Sequence, residues 1–265
     1  MTPAVHLARW NLVPDGTEIA TPSSVLLPVR RQGEPAMLKV AYDEEERRGG
    51  RLMVWWQGDG AARVLMHDEA ALLLERADGP ATLAAMVAEG RDDEASRILC
   101  SVAHRLHVPR GEPPPWLEPL ERWFVALAPS AAIHGGILAE AHAMAGRLLA
   151  TPREIAVLHG DIHHGNVLDG GARGWLAIDP KALLGERAFD FVNILRNPDA
   201  RTALAPGRFD RQLALVSRSA SLERRRLLEW TLAFAGLSAS WHLAGGTSPA
   251  LDLDIARLAA ALLEA

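Results

Sequence analysis

The run His159–Asp190, HGDIHHGNVLDGGARGWLAIDPKALLGERAFD, constrains this chain more than any other stretch. Val167 and Leu168 read as a short strand, Asp169 to Gly174 is rich in turn formers, and Trp175 to Ile178 reads as the returning strand. Such a hairpin brings Asn166 and Asp179 to one open end, where a single cation can touch both. Asp161 lies just upstream. Phosphoryl transfer needs one carboxylate to orient a hydroxyl and two oxygen ligands to hold magnesium on the phosphates. The spacing therefore predicts Asp161 as the acceptor of the hydroxyl proton, with Asn166 and Asp179 as the magnesium ligands.

The same residues carry a resemblance. The HGD triplet, Asn166 and Asp179 resemble the aminoglycoside phosphotransferase branch of the kinase-like fold. Within it, LHGDIHHGNVLD, RGWLAIDP, LLGERAFDFVNI and LSASW are similar to the streptomycin 6-kinases. The likeness runs from Trp10 through the C-terminal helices. It implies a bilobal α+β protein-kinase-like fold, with an antiparallel N-terminal nucleotide-binding lobe over residues 1–78. A helical catalytic and substrate-binding lobe would follow over residues 79–265. The implied reaction is ATP-dependent phosphorylation of a small cationic aminocyclitol antibiotic, streptomycin at the 6-hydroxyl of its streptidine ring, with magnesium as cofactor.

Local patterns agree with two lobes. Residues 17 to 41 alternate around Val25, Leu27, Val29, Met37 and Val40 as hairpin strands do. Asp43 to Gln57 reads as a helix with Leu52, Met53 and Trp56 on its apolar face. Val64–Met66 and Ala71–Leu74 return as strands. Thereafter Glu94–His107, Leu117–Leu127, Ile133–Leu149, Leu227–Leu243 and Leu251–Leu263 carry helical periodicity, and the Pro-rich run Gly111–Trp116 is a loop.

Lys39 sits in the strand AMLKV, where an inward-facing lysine needs a partner or a ligand. In a kinase-like site it holds phosphates and pairs with a helix glutamate. Glu46 is the chosen partner, with Glu44 and Glu45 as adjacent rivals. No GxGxxG precedes Lys39; Thr21, Pro22, Ser23 and Ser24 fill that turn. Ser23 and Ser24 are candidate phosphate contacts, and an ordinary hairpin turn is the equal alternative. The resemblance places the adenine against backbone groups of Glu75 and Ala77, in an extended hinge with unpaired N–H and C=O groups.

Between Asp179 and Gly185 there is no room for a long activation loop, which favours a small-molecule kinase over a protein kinase. Glu186 is expected on the acceptor side and Asp190 as an anchor of the catalytic loop. His159 and His163 are expected to position that loop rather than bind zinc, because flanking glycines disfavour a helical ligand pair. Trp230 and Trp241 lie eleven residues apart on one helix face, and core packing is preferred to a sugar-stacking wall. Streptidine's guanidinium groups favour a carboxylate-rich pocket.

Composition excludes several classes. A chain of 265 residues, 49% hydrophobic, buries a large core, and a net charge of −5 gives no electrostatic footprint for nucleic acid. The single Cys100 cannot form an intramolecular disulfide. No run of about 18 apolar residues occurs, so no membrane partner is expected and the protein is placed in the cytoplasm, as a monomer. Two other readings keep parts of this picture: a kinase of another small alcohol or hydroxylamine-type drug, and a nucleotide-binding pseudokinase regulator. The intact Lys39, Asp161, Asn166 and Asp179 argue against the last.

Overall fold

Alternating apolar side chains build the N-terminal sheet of the computed structural model, which describes residues 2–264. Strands Leu12–Pro14, Ser24–Arg31, Glu34–Ala41, Ala71–Glu75 and Val64–His67 lie side by side in that order, and Ile19–Ala20 also pairs with Ser24–Arg31. Every pairing is antiparallel. Val25, Leu27, Val29, Ala36, Leu38 and Val40 share one face with Leu73, closed by Trp10 and Leu12. Trp10 ends the helix Pro3–Trp10, an element the sequence reading does not contain. Met37 falls out of this alternation and shares the opposite face with Lys39.

On that opposite face lies the helix Glu44–Trp56. Asp43 caps it by accepting from the Glu46 amide, and three glutamates occupy its first turn, where the helix dipole favours anions. Leu52, Met53 and Trp56 join Leu72 and Leu74 in a core that continues without a break into the helical part of the chain.

The helical part is organised around Arg224–Ala244, which is buried on nearly every side. Phe189 sits at the centre of an aromatic cluster, with ring centroids 5.3 Å from Phe234, 5.8 Å from Trp230 and 6.1 Å from Phe124. These edge-to-face contacts hold the segment after the catalytic loop against the central helix. Two expected helices are shorter than the periodicity implies. Of Leu117–Leu127, only Leu120–Phe124 and Leu127, which opens the helix Leu127–His134, are helical, because Glu118–Pro119 pairs as a short strand with Leu183–Glu186. Ile133–Leu149 breaks at Gly135 and Gly136, both in the left-handed region at φ 60° and 51°, so the long helix starts anew at Gly136. The helix Arg208–Ser219 was missed altogether. It buries Phe209, Leu213 and Val216 on one face, and Arg208 and Arg211 form ion pairs with Asp92.

The two parts meet along the catalytic hairpin. Ala62 N–H donates to the Ala177 carbonyl and Ala177 N–H to Gly60, each at 2.9 Å, so the loop after Glu44–Trp56 is sewn to strand Trp175–Ala177. Gly79 N–H donates to the Asp169 carbonyl at 2.9 Å, fixing the chain just past the hinge.

Candidate active site

The hairpin forms as its turn chemistry dictates. Val167–Asp169 pairs with Trp175–Ala177 in the register Val167↔Ala177, and Ile178 N–H donates to the Asn166 carbonyl at 2.9 Å. Asn166 and Asp179 therefore stand at one end, as expected. Asp179 adopts φ 61°, a left-handed turn that aspartate tolerates better than most residues.

Asp161 is gripped from two sides. Asn193 Nδ2 donates to Oδ1 at 2.9 Å and Asn166 Nδ2 donates to Oδ2 at 3.1 Å. The same Asn166 nitrogen reaches the Asp161 carbonyl at 3.0 Å, so the amide group turns its nitrogen to Asp161 and keeps its oxygen for another partner. His159 braces the loop from beneath. Its Nε2 donates to the Ile178 carbonyl at 2.8 Å, and its Nδ1 accepts from the Asp161 amide at 3.1 Å. Its ring stacks on Trp56, 6.1 Å between centroids and 22° between planes, tying the helix Glu44–Trp56 to the catalytic loop. Asp190 anchors the same turn: it accepts from His159 N–H at 2.9 Å, Gly160 N–H at 2.6 Å and His107 Nε2 at 2.7 Å. His163 accepts from Gly165 N–H at 2.9 Å. The loop-positioning roles read for His159, His163 and Asp190 match this geometry.

Lys39 forms ion pairs with both Glu46 and Asp179. Among the rival glutamates, Glu44 turns outward to Arg51 at 2.8 Å and Glu45 faces Lys181 at 3.5 Å. Glu46 is the buried one of the three. Ser23 Oγ donates to Glu46 Oε1 at 2.8 Å, so it steadies the Lys39 partner in this structure. Ser24 is buried, its hydroxyl 3.0 Å from that of Thr21 in the turn, an arrangement that matches the hairpin-turn alternative rather than a phosphate contact. At the hinge, Glu75 N–H already donates to the Arg63 carbonyl at 2.9 Å, and the Glu75 carboxylate accepts from Arg63 N–H at 2.6 Å. The Glu75 amide is therefore spent on the sheet. Half-buried Ala77 lies beyond Glu75, the last paired residue of that strand.

Charge in the site is set by burial against neighbouring cations. Desolvation pushes the Asp161 carboxyl up, but His163 and Lys181 outweigh it and hold the group below the usual carboxylate range. His163 Nε2 is 3.7 Å from Asp161, too far for a direct hydrogen bond, so its effect is through space. Asp179 is likewise lowered, with Lys39 and Lys181 overcoming its desolvation. Burial lowers His159, keeping it neutral and its tautomer fixed. Both carboxylates are thus ionised at neutral pH, one available to take a proton and the other to bind a cation.

Beside Asp161 opens a cleft of about 520 Å³, lined among others by Trp123, Lys181, Arg196, Phe234 and Trp241. Trp241 is 39% exposed and stands edge-on to Trp123 at 5.2 Å. The preference for core packing is right for buried Trp230 and wrong for Trp241, whose indole walls the cleft. Glu186 is not there. It is buried, receives Arg226 Nε and the Arg153 amide at 2.8 and 3.0 Å, and is lowered because Arg226 outweighs its desolvation. A carboxylate spent this way cannot serve the acceptor, so its expected role is withdrawn. Nor is the cleft rich in carboxylates: Glu45 and Asp161 face Arg122, Lys181 and Arg196 across it. Asp252 lies buried behind, paired with Arg196 at 2.6 Å. Sequence reading missed Asn193, whose signal was an Asn one helical turn after Asp190, and Lys181, which follows Asp179-Pro180 directly.

Comparison with known proteins gives the site its family. A family model described as aminoglycoside/hydroxyurea antibiotic resistance kinase matches residues 9–246. A streptomycin 3''-kinase of Klebsiella pneumoniae is 49% identical over 97% of this chain and 100% of its own length. A streptomycin 6-kinase of Streptomyces griseus is 34% identical over 94% of this chain and 84% of its own. The expected family is upheld, while the greater likeness to a 3''-kinase removes the ground for preferring the 6-hydroxyl. In fold, a mutant of aminoglycoside phosphotransferase APH(4)-Ia, solved with ADP and hygromycin B, superposes with a TM-score of 0.66 at 16% identity, covering 97% of this chain and 94% of that one. With that fold and the matched length, the chain belongs to the aminoglycoside/hydroxyurea antibiotic resistance kinase family.

Proposed function

We propose that this enzyme transfers the γ-phosphoryl group of ATP to a hydroxyl of streptomycin or a close relative. The single observation that carries the reading is the double grip of Asn193 and Asn166 on an ionised Asp161 at the mouth of a ligand-sized cleft. A carboxylate so fixed, with its pKa held low, accepts the acceptor's proton only as the bond to phosphorus forms. Lys39, positioned by Glu46, holds the nucleotide phosphates, and Ala77 offers backbone groups to the adenine.

The donor set fits magnesium. Asp179 supplies a carboxylate and Asn166 an amide oxygen, both hard, at the same hairpin end. When bound, the ion neutralises phosphate charge. Asn166 would then act twice, through its oxygen on the ion and through its nitrogen on Asp161.

For the acceptor, the two tryptophans and the mixed charge of the cleft suit a sugar ring bearing a single amine better than a bis-guanidinium ring. Together with the greater likeness to the 3''-kinase, this favours the 3''-hydroxyl over the 6-hydroxyl. Mapping the product of streptomycin and ATP by phosphorus–proton NMR tests the reading. Phosphate on the 3''-oxygen supports it, phosphate on the 6-oxygen returns the assignment to streptidine, and no product rejects streptomycin as the acceptor.

A further inference from the structure

Lys181 is a cation beside Asp161 that the reaction outlined above leaves unused. It lines the acceptor cleft beside Gly160 and Asp161, with its side chain 20% exposed. Its amide donates to the His159 carbonyl at 2.6 Å, so its backbone is locked to the catalytic loop. The next residue, Ala182, adopts φ 56°, a left-handed conformation that costs a non-glycine residue about 1–2 kcal/mol. The chain holds this costly turn directly after Asp179-Pro180-Lys181.

The two lysines of the site differ in how they are bound. Lys39 is hydrogen-bonded to Asp179 and ion-paired with Glu46. Lys181 Nζ lies 3.5 Å from Glu45 and 3.9 Å from Glu46, at and beyond the limit of a hydrogen bond. Glu45, Glu46, Asp161 and Asp179 lie around its ammonium group, which is tightly held by none of them. An anion entering between Asp161 and Asp179 would find its donors available.

We infer that Lys181 binds the phosphoryl group in transit, hydrogen-bonding its equatorial oxygens while the group passes from ADP to the acceptor. The inference rests on the phosphoryl-transfer reading above. In the step, the acceptor oxygen gives its proton to Asp161 and its lone pair forms the new O–P bond. The bond from the γ-phosphorus to the β–γ bridging oxygen breaks, and its electron pair leaves on ADP. Lys181 neither gives nor takes a proton. Its charge offsets the repulsion between the phosphoryl oxygens and Asp161, a term largest when the group is between its two partners. Lys39 is instead bound to Asp179 and Glu46 and is the group proposed above for the ground-state phosphates.

The test compares Lys181→Met, Lys181→Gln and Lys181→Arg with the unaltered enzyme. Two bindings are measured by calorimetry with magnesium and streptomycin present: AMP-PNP, which mimics the ground state, and ADP with aluminium fluoride, which mimics the phosphoryl group in transit. Met and Gln should lower kcat by about 10²–10³-fold, as loss of one transition-state donor does. They should weaken aluminium fluoride binding by at least about tenfold and leave AMP-PNP binding within about threefold, whereas Arg should recover part of both losses. Equal weakening of the two ligands would make Lys181 an ordinary nucleotide anchor and overturn the inference. Unchanged kcat and unchanged binding would overturn it as well. Failure of the unaltered enzyme to bind either nucleotide would instead bring down the phosphoryl-transfer reading, and the inference with it.

Discussion

Gly49 packs directly on the carbonyl oxygen of Pro180, so closely that a β-carbon at residue 49 would overlap it. This contact brings the helix Glu44–Trp56 onto the Asp179-Pro180 turn and lets Glu46, Lys39 and Asp179 meet. A mid-helix glycine costs about 1 kcal/mol against alanine, so its presence here is explained by the close approach.

Gly49→Ala should push the helix away from Pro180 and raise KM for ATP by about tenfold or more, because reactive geometry is lost with small displacements. Gly50→Ala is the control. Its β-carbon would meet only the flexible Leu72 side chain, at 3.1 Å, so stability and KM should stay near the parent values. Steady-state kinetics of both variants decide the matter, and equal effects would disprove a specific role for Gly49.

The Glu186–Arg226 pair predicts a stability effect without a substrate effect. Removing the carboxylate by Glu186→Ala leaves the buried Arg226 with Glu229, 3.8 Å away, as its nearest counter-charge and should cost about 3 kcal/mol, the low end for breaking a buried pair. Denaturant unfolding should register that loss, while KM for streptomycin, measured well below the melting temperature, should not move. A raised KM at unchanged stability would return Glu186 to the acceptor site.

His164 gives the fold an acid-sensitive point. Burial, reinforced by the charge of Arg208, lowers its pKa to about 4, and neither ring nitrogen has a partner among the described residues. A histidine depressed in the folded state stabilises fully above its unfolded pKa of about 6.5 and loses that contribution as pH falls toward 4. The melting temperature should therefore decline between about pH 6.5 and 4, the group accounting for roughly 3 kcal/mol. His164→Phe, which keeps a ring and removes the titration, should flatten that part of the profile. An unchanged slope would place the acid sensitivity elsewhere.

What the sequence made legible follows sequence separation. Asp161, Asn166 and Asp179 could be read because one hairpin with plain turn signals brings them together. Lys39 and Glu46 were readable as a strand lysine followed by a capped helix. The misread residues depend on distant partners. Glu186 is claimed by Arg226, forty positions away, and Asn193 reaches Asp161 from thirty-two away. No local pattern distinguishes a glutamate that will meet an arginine from one that will meet a substrate. Trp241 looked like Trp230 because both lie on one face of a long helix. Only the packing of Trp123 reveals that the helix runs from the core to the edge of the cleft.

The central claim is that Asp161 takes the proton of an aminoglycoside hydroxyl during phosphoryl transfer. The most direct measurement is streptomycin-dependent ADP release by the unaltered enzyme and by Asp161→Ala, with AMP-PNP affinity determined for both. The parent should turn over, the variant should show a kcat lower by about 10²–10⁴-fold, and nucleotide affinity should barely change, since Asp161 faces the acceptor cleft. A variant that turns over at the parent's rate would contradict it.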